Sequence, residues 1–286
     1  MTRADMNTGP RIPAAWKRRG PIALSVSVML EGWSDDAAPG IGPMGNPLRA
    51  GVLDLQARNW ADYGPKEGAW RLLDLLDQNG IKAVFYTSGI VAERYPELMR
   101  EIAGRGHDVA GHSWAQNILP AYLNKEAETD DIARCTQALQ AAAGRRPAGW
   151  ISPRCTPSGN TSTLLAQAGY AWHADIFDRD LPYYMETEGG PLLAMPFTME
   201  VNDMPLYIRY GNEPQAYTHI LKRILTQWSQ VGAAPICLDL TVHAHVFGRP
   251  FGLIELLECL RFAKTLPGQA WLTSHAELGA LYRAEP

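Results

Sequence analysis

The hydrophobic pattern of the chain alternates between short apolar runs and longer amphipathic stretches. The run IALSVSVML at 22–30 is apolar and rich in β-branched residues, which predicts a buried strand. Residues 67–80 place leucines and a tryptophan on one broad side and end in Asn-Gly, which predicts an amphipathic helix. The alternation continues, with strands predicted at 81–89, 107–112, 147–153, 171–177, 192–201, 235–245 and the start of 270–278, and helices at 92–106, 125–143, 159–170, 215–231 and 253–264.

This order of elements predicts the fold class. Roughly seven strand–helix units in one chain favour an α/β fold with parallel strands and right-handed crossovers. A single barrel-like domain over residues 21–286 is the simplest arrangement. Residues 1–20 are predicted to form a flexible arm, and residues 31–65 a long loop rich in Gly and Pro. Loops of that length in compact domains are usually functional or disordered.

Composition excludes several function classes. The 286 residues carry a formal net charge of −4, so the chain has no global electrostatic reason to bind nucleic acid. No apolar run approaches the length of a membrane span, and the N-terminal residues do not follow the order of an export signal. The four cysteines form no CxxC pair, which favours free thiols in a reducing compartment. A cytoplasmic location and no membrane partner are therefore predicted.

Candidate chemistry falls where a barrel would place its active site. Functional groups of such folds lie at the carboxyl ends of the strands. Several histidines, carboxylates and an arginine directly follow predicted strands. The candidates are Glu31, His112, Gln116, Arg154, His243 and His245.

The stretch GRGHDVAGHSWAQN contains the first candidates for metal binding. His112 and Gln116 are four residues apart and share one face if the segment is helical. A histidine nitrogen suits zinc, whereas a glutamine oxygen is a neutral and weaker ligand. The alternative is that His112 bonds a loop backbone and that Gln116 lies on the surface. His107 begins its strand and is predicted to be structural.

The stretch LTVHAHVFGRP contains the second candidates. His243 and His245 are two residues apart at a strand end, so both point to the same face. A neutral imidazole there could protonate a leaving nitrogen or hold a water molecule. Glu31 could bind a cation or take a proton from water. Arg154 offers a fixed cationic fork for a carboxylate or a substrate oxygen.

Aromatic side chains near the predicted mouth are candidates for substrate contacts. A flat ring would stack on them, although sugars stack on such walls too. An aspartate of DIFDRDLPYY could orient a histidine or Arg154, or contact substrate. The substrate-binding candidates are Trp33, Tyr63, Trp114 and Asp178.

The stretches WRLLDLLDQNGIKAVFYTSGIVAERYPELMREIAGRGHDVAGHSW, WISPRCTPSGNT and VHAHVFGRP resemble the polysaccharide deacetylase superfamily, carbohydrate esterase family four. Together with DYGPKEGAWRLLDLL and DIFDRDLPYY, they resemble its allantoinase-like and cyclic-imide-hydrolase-like branch. The resemblance covers about residues 20–283. It implies a distorted (β/α)7 TIM-like barrel and hydrolysis of a non-peptide C–N bond.

The chain departs from the family's motifs at several positions. The first aspartate of the family's Thr-Phe-Asp-Asp-Gly motif, the usual general base, falls on Leu30, and the second, a metal ligand, falls on Glu31. The His-x-x-x-His pair falls on His112 and Gln116. The family's arginine falls on Arg154 and its late catalytic histidine on His243. The resemblance implies one divalent metal, with zinc favoured, at Glu31, His112 and Gln116. Catalysis without metal stays open because members of this branch depart from the metal motif.

The residues and the resemblance together predict a hydrolase that opens a small cyclic imide or ureide. A cytoplasmic location favours a small soluble substrate, and we expect a homo-oligomer, either a dimer or a tetramer. Two alternatives stay open. One is an N-deacetylase of an acetylated sugar or polysaccharide. The other is a catalytically silent relative that binds a carbohydrate or another ligand.

Overall fold

The computed structural model describes residues 12–45, 48–49, 51–231 and 235–284. Strands and helices alternate along this part of the chain. The strands are β1 Ile22–Leu30, β2 Val84–Thr87, β3 Asp108–Gly111, β4 Gly149–Trp150, β5 Trp172–Ile176, β6 Tyr183–Met185, β7 Leu192–Pro196, β8 Ile236–His243 and β9 Ala270–Leu272. The helices are α1 Ala14–Lys17, α2 Leu55–Tyr63, α3 Ala69–Gln78, α4 Gly89–Arg94, α5 Pro96–Gly104, α6 Lys125–Ala143, α7 Thr161–Gln167, α8 Gln215–Gln227, α9 Pro250–Lys264 and α10 His275–Ala284.

The strands form one curled sheet in the order β6-β7-β5-β4-β3-β2-β1-β8, with β9 paired to the first half of β1. β6 runs antiparallel to β7, and the other pairings are parallel. β7 and β8 do not pair directly. The chain after β7 closes that gap, where Thr241 N donates to Val201 O at 3.0 Å. Within the described residues, seven strands in parallel pairings, β7-β5-β4-β3-β2-β1-β8, form the distorted barrel and confirm the predicted fold.

The barrel wall has two apolar faces. Along β1, even-numbered residues such as Leu24 and Val28 belong to the apolar cluster that also contains the buried residues of most helices. Ala23 and Met29 pack in a second cluster with Tyr86 from β2. Alternation along a strand places successive side chains on opposite faces. Glu31, the next odd-numbered residue after β1, therefore continues the series that faces the interior.

The first described residues are part of the fold. Residues 1–11 of the predicted flexible arm lie outside the described residues. Residues 12–20 instead pack on the barrel, because Trp16 in α1 is fully buried against Trp271 and Tyr282, and its indole nitrogen donates to Gly20 O at 3.1 Å. One buried tryptophan is a strong anchor, and the sequence pattern of this short segment gave no periodic signal for it.

We expect the substitution Trp16→Ala to destabilise the whole domain. Emptying a fully buried indole site removes its transfer free energy and leaves a cavity, which costs about 3–5 kcal/mol. Urea unfolding followed by circular dichroism measures the change. Tyr122→Ala is the control, because that ring is 84% exposed and its removal should cost less than about 0.5 kcal/mol. Equal stability of the two variants would contradict the anchoring role of α1.

Helix α2 lies inside the segment that the sequence predicted to be a long loop. It begins at an Asp54 cap, whose carboxylate accepts from Ala57 N at 2.9 Å, and continues through a π-helical turn, Gly64–Gly68, into α3. Only Ala57, Trp60 and Ala61 of α2 are buried. So short a buried face gives little hydrophobic periodicity. The sequence pattern therefore does not predict this helix, which the structure places over the barrel.

None of the helices within the described residues is long and apolar enough to span a bilayer.

Candidate active site

A buried carboxylate lies at the centre of the candidate site. Glu31 follows β1 and is 5% exposed. Its Oε1 lies 3.7 Å from His112 Nε2 and 3.6 Å from His243 Nε2, and its Oε2 lies 3.9 Å from His245 Nε2. Gln116 Nε2 donates to Oε1 at 2.5 Å. The ends of three strands, β1, β3 and β8, thus bring three imidazoles and an amide around one carboxylate, as the positions of these residues predicted.

Electrostatics keeps this carboxylate ionised. Burial alone would raise the pKa of Glu31, but His243 outweighs it together with His112 and His245, and the pKa falls to about 2. A nearby positive charge or hydrogen-bond donor favours the charged form of a carboxyl group. Glu31 is therefore an anion at neutral pH.

The loop after β3 fixes the orientation of His112. Its Nδ1 lies 2.8 Å from Ile151 O, and because a carbonyl can only accept, Nδ1 carries the proton. In the neutral ring Nε2 then carries a lone pair that could bind a cation beside Glu31, whereas in the protonated ring Nε2 donates toward Glu31. The following residue, Ser113, adopts a left-handed backbone with φ 58°, and its hydroxyl donates to Asp131. Gln116 N donates to Gly32 O at 2.8 Å, which joins this loop to the end of β1.

A second carboxylate holds His243. Asp203 Oδ1 lies 2.6 Å from His243 Nδ1, and Asp203 Oδ2 accepts from the backbone nitrogens of His243 and Phe247. Burial alone would lower the pKa of His243, but Asp203 and Glu31 outweigh it, and the pKa lies above its ordinary value. His243 therefore lies between two carboxylates, with Nδ1 directed to Asp203 and Nε2 to Glu31.

His245 differs from His243 in its surroundings. Its ring meets the Trp60 ring edge-to-face at 4.6 Å between centroids and the Trp33 ring at 5.8 Å. Burial lowers the pKa of His245 to about 4, with Glu31 offsetting only part of the effect. The two histidines are thus separated chemically: the pKa of His243 is raised, whereas that of His245 is lowered to about 4, so that His245 is neutral at pH 7.

Helix α2 and its π-helical turn cover the site. Gly64 and Gly68 approach the backbone that follows β8 so closely that a Cβ on Gly68 would lie 1.9 Å from Ala244 O. Trp60 extends from the same segment onto His245. As a result, none of the side chains around the carboxylate is more than 9% exposed, namely Glu31, His112, Gln116, His243 and His245.

Three of the predicted site residues have other surroundings. Arg154 is exposed, and the described residues show no hydrogen bond or ion pair that joins it to Glu31 or His243. The backbone is left-handed at Arg154 and Cys155, and it is Cys155 that packs against the interior cluster. Trp114 belongs to the helix-side core beneath the Arg134 guanidinium, at 3.4 Å. Asp178 is exposed and accepts from the Tyr183 hydroxyl at 3.2 Å.

The aromatic candidates divide between the site and its cover. Trp33 is beside His245, with 5.8 Å between the ring centroids, and its role in substrate binding stays a prediction. Tyr63 instead packs its ring on the Arg249 guanidinium at 3.9 Å, and its hydroxyl accepts from Arg71 at 2.5 Å. Tyr63 therefore attaches α2 to the loop after β8. His107, predicted to be structural, is fully buried and accepts from Ala83 N at 3.2 Å.

Sequence patterns gave no role to Asp203 or Trp60. Asp203 lies after β7, in a segment whose position depends on how the barrel closes between β7 and β8. Its position after a predicted strand was the only signal. Trp60 lies within the segment predicted as a loop, and its aromatic side chain was the only sign that it could lie at the mouth of the barrel.

The residues predicted to hold a metal lie together, but with one weak member. Within the described ranges, no group of three or more His, Cys, Asp and Glu side chains could hold a metal ion. Glu31 and His112 are completed by the amide of Gln116. His112 Nε2 and Gln116 Oε1 are buried without a hydrogen-bond partner. Two orphaned acceptors beside a carboxylate fit a divalent cation, which a neutral amide oxygen holds less tightly than a second imidazole would.

Comparisons with known proteins agree with the fold and the motifs. A family model for polysaccharide deacetylase matches residues 61–173. A provisionally named polysaccharide deacetylase of Schizosaccharomyces pombe is 25% identical over 262 residues, which are 82% of this chain and 78% of that protein.

Two solved structures have the same architecture. A provisionally named polysaccharide deacetylase from Pseudomonas aeruginosa PAO1 superposes with a TM-score of 0.87 and 24% identity, over 100% of this chain and 98% of that one. PuuE allantoinase superposes with a TM-score of 0.86 and 24% identity, over 97% of this chain and 95% of its own. The family match, the S. pombe relative and the motifs around His112 and His243 agree: residues 61–173 form a polysaccharide deacetylase domain.

Proposed function

We propose that this protein hydrolyses a small cyclic imide or ureide at the site around Glu31. The coarser prediction, a hydrolase acting on non-peptide C–N bonds, is confirmed by its family. The choice of a small ring is our inference. Its support is the enclosure of the site, and the fold shared with an allantoinase is consistent with it.

Enclosure is the single observation that carries this proposal. A polymer-binding site needs an open groove in which several units bind on either side of the scissile bond. Here Glu31 is 5% exposed and His243 is 6% exposed, and Trp60 packs from α2 on the neighbouring His245. A small ring buries most of its surface in such a site, with Trp33 and Trp60 as flat apolar walls.

Glu31 activates the attacking water in the proposed reaction. Its Oε2 accepts hydrogen bonds at neutral pH, and the His245 Nε2 lies 3.9 Å from it. A water molecule that donates one proton to Oε2 would be held with a lone pair free for a carbonyl carbon. The proton released on attack passes to Glu31.

His243 is the proposed general acid. Its Nδ1–H donates to Asp203, so Nε2 carries a proton toward the site when the ring is an imidazolium. The carboxylates of Asp203 and Glu31 raise the pKa of His243 and so favour that form. When the C–N bond breaks, Nε2 donates to the departing nitrogen, and the carbonyl carbon with the added water oxygen becomes a carboxylic acid. The neutral His245 carries no such proton at pH 7.

A divalent metal, if bound by Glu31, His112 and Gln116, would supply Lewis-acid polarisation of the scissile carbonyl. With or without this metal, Asp203 orients His243, His243 donates the proton, and α2 covers the substrate.

We expect the substitution Gln116→His to raise zinc affinity by at least about tenfold, because an imidazole replaces an amide oxygen in a set that already contains a carboxylate and an imidazole. Zinc bound per chain after dialysis against graded chelator measures the change without reference to activity. Gln140→His, at an exposed position of α6, should leave zinc binding unchanged. Equal zinc binding by the Gln116→His and wild-type proteins would show that the three side chains do not form one ligand set.

Substrate assays with product identification test the proposed function. Succinimide, hydantoin and allantoin are incubated with the protein, and ring-opened products are followed by NMR. We expect turnover of at least one ring and none by Glu31→Gln. Binding of a ring without turnover would favour the silent ligand-binding relative.

A second candidate function is removal of an acetyl group from a small acetylated sugar. The names of the family model and of the S. pombe relative favour it, and the Trp33 and Trp60 rings would stack on a sugar as well as on an imide. N-Acetylglucosamine therefore belongs in the same assay. Acetate release from it, with no reaction of the rings, would replace the first proposal.

A further inference from the structure

A narrow cleft leads from the protein surface to Glu31. It runs between the loop after β1, the covering helix α2 and helix α4. Glu31, the proposed base, is the buried carboxylate among its lining residues. Its lining includes Glu31, Trp33, Arg58, Asp62, Arg94 and Tyr95.

Two guanidinium groups in this cleft share one carboxylate. Arg94 Nη2 lies 2.6 Å and Arg58 Nη2 lies 3.1 Å from Asp35 Oδ1. The same arginines also donate to backbone carbonyls, Arg58 to Asp35 O at 2.6 Å and Arg94 to Trp33 O at 3.0 Å. These backbone bonds hold the guanidinium groups in place without the Asp35 side chain.

Asp35 is a replaceable partner. Its side chain is 85% exposed, whereas Arg58 and Arg94 are 30% and 31% exposed. Exposed ion pairs are worth little because water competes for both charges. Two cations face Asp35, and the other outer carboxylate of the lining, Asp62, pairs with Lys66 at 3.2 Å. The two arginines therefore keep an excess positive charge that a second carboxylate in the cleft could use. Arginine forks are well suited to carboxylates because they donate two parallel hydrogen bonds.

We propose that Arg58 and Arg94 form a carboxylate-binding subsite that receives the acidic product of the reaction as Asp35 gives way. This inference rests on the proposed function. Ring opening adds a water oxygen to the carbonyl carbon, breaks the C–N bond and transfers a proton to nitrogen, and the acid formed ionises at neutral pH. The new carboxylate then lies beside the Glu31 carboxylate, and like charges in a poorly solvated site repel strongly.

The cleft gives this product a direction in which to leave. Glu31 lines it as a buried anion, 5% exposed, whereas the side chains of Arg58 and Arg94 line it nearer the solvent, 30% and 31% exposed. A monoamide of a dicarboxylic acid, which is what a cyclic imide yields, would move from the repelling end to the attracting one.

Isothermal titration of succinamate, the ring-opened form of succinimide, tests the subsite without any turnover. We expect Arg58→Gln and Arg94→Gln each to weaken binding about tenfold, since each removes a charge-assisted hydrogen bond. Asp35→Asn should tighten binding by about threefold or more, because it removes the competing charge. Arg100→Gln on α5, a matched loss of an exposed arginine that pairs with Glu97, should change nothing. Thermal unfolding checks that each variant is folded.

The Asp35 variant separates the subsite from a purely structural contact. If the arginines only fasten α2 over the site, Asp35→Asn breaks the same contact and should weaken binding as the arginine variants do. That result, or wild-type binding insensitive to Arg58 and Arg94, or no binding at all, would overturn the subsite. Binding that depends on the arginines, in a protein that opens no ring, would instead remove the proposed function alone.

Discussion

Replacing Glu31 by glutamine is expected to lower kcat/KM for a cyclic imide by about a thousandfold or more, because general base catalysis and the associated electrostatic stabilisation are lost together. Glu31 is the group on which His112, His243, His245 and Gln116 converge. The glutamine side chain fills the same space but carries no charge. It cannot accept the proton of the attacking water.

The control for this variant is Asp36→Asn. Asp36 is an exposed carboxylate of the same loop, and its removal should leave kcat/KM within about twofold, as expected of a surface substitution. Circular dichroism of both variants checks folding. A Glu31→Gln protein that retains a tenth of the wild-type rate would contradict the role of Glu31 as base.

The substitution Asp203→Asn is expected to lower kcat by about 100- to 1000-fold, because the partner that fixes the tautomer of His243 and stabilises its imidazolium is replaced by a neutral amide. It should also change the pH profile. In the wild type, activity is retained while His243 is protonated and falls as the pH rises through its raised pKa. Without the Asp203 charge that pKa drops, so the alkaline loss begins at lower pH.

The acidic side of the profile has a different origin. The pKa of Glu31 is about 2, so its protonation should not limit the rate until well below the pH at which many proteins lose stability. The control is Asp178→Asn, which removes an exposed aspartate between β5 and β6. This variant should keep both the rate and the pH profile of the wild type. An Asp203→Asn enzyme with reduced kcat and an unshifted alkaline limb would assign Asp203 a structural role only.

The strand–helix alternation was sufficient to predict the barrel. β1 matches its predicted bounds, and so does α6. Long periodic elements are predicted well because their burial pattern repeats over several turns or alternations. The rule that parallel strands expose their chemistry at their carboxyl ends then brought Glu31, His112 and His243 together correctly.

The errors arose where local backbone geometry or tertiary closure decides the outcome. Arg154 matches the position of the family's arginine, yet the left-handed turn at Arg154 and Cys155 leaves Arg154 exposed. Trp114 follows a site histidine in sequence but packs beneath Arg134. Neither the φ angle of one residue nor the neighbours of one ring can be derived from residue types alone.

Asp203 shows a second limit. Its contact with His243 joins residues 40 positions apart across the seam between β7 and β8, where the strands do not pair directly. No spacing rule predicts such a contact. The covering helix α2 was missed for a related reason. Only three of its residues are buried, so its sequence shows no helical repeat of apolar positions, and its place depends on contacts with the barrel mouth.

The central claim is that the closed site around Glu31 and His243 selects small rings over polymeric substrates. The measurement that tests it most directly is the ratio of kcat/KM for succinimide to kcat/KM for the tetramer of N-acetylglucosamine, determined with one preparation of the wild-type protein. We expect the ratio to exceed about 100, because the tetramer cannot enter without displacing α2 from the site. A ratio below one, with acetate released from the tetramer, would contradict the account.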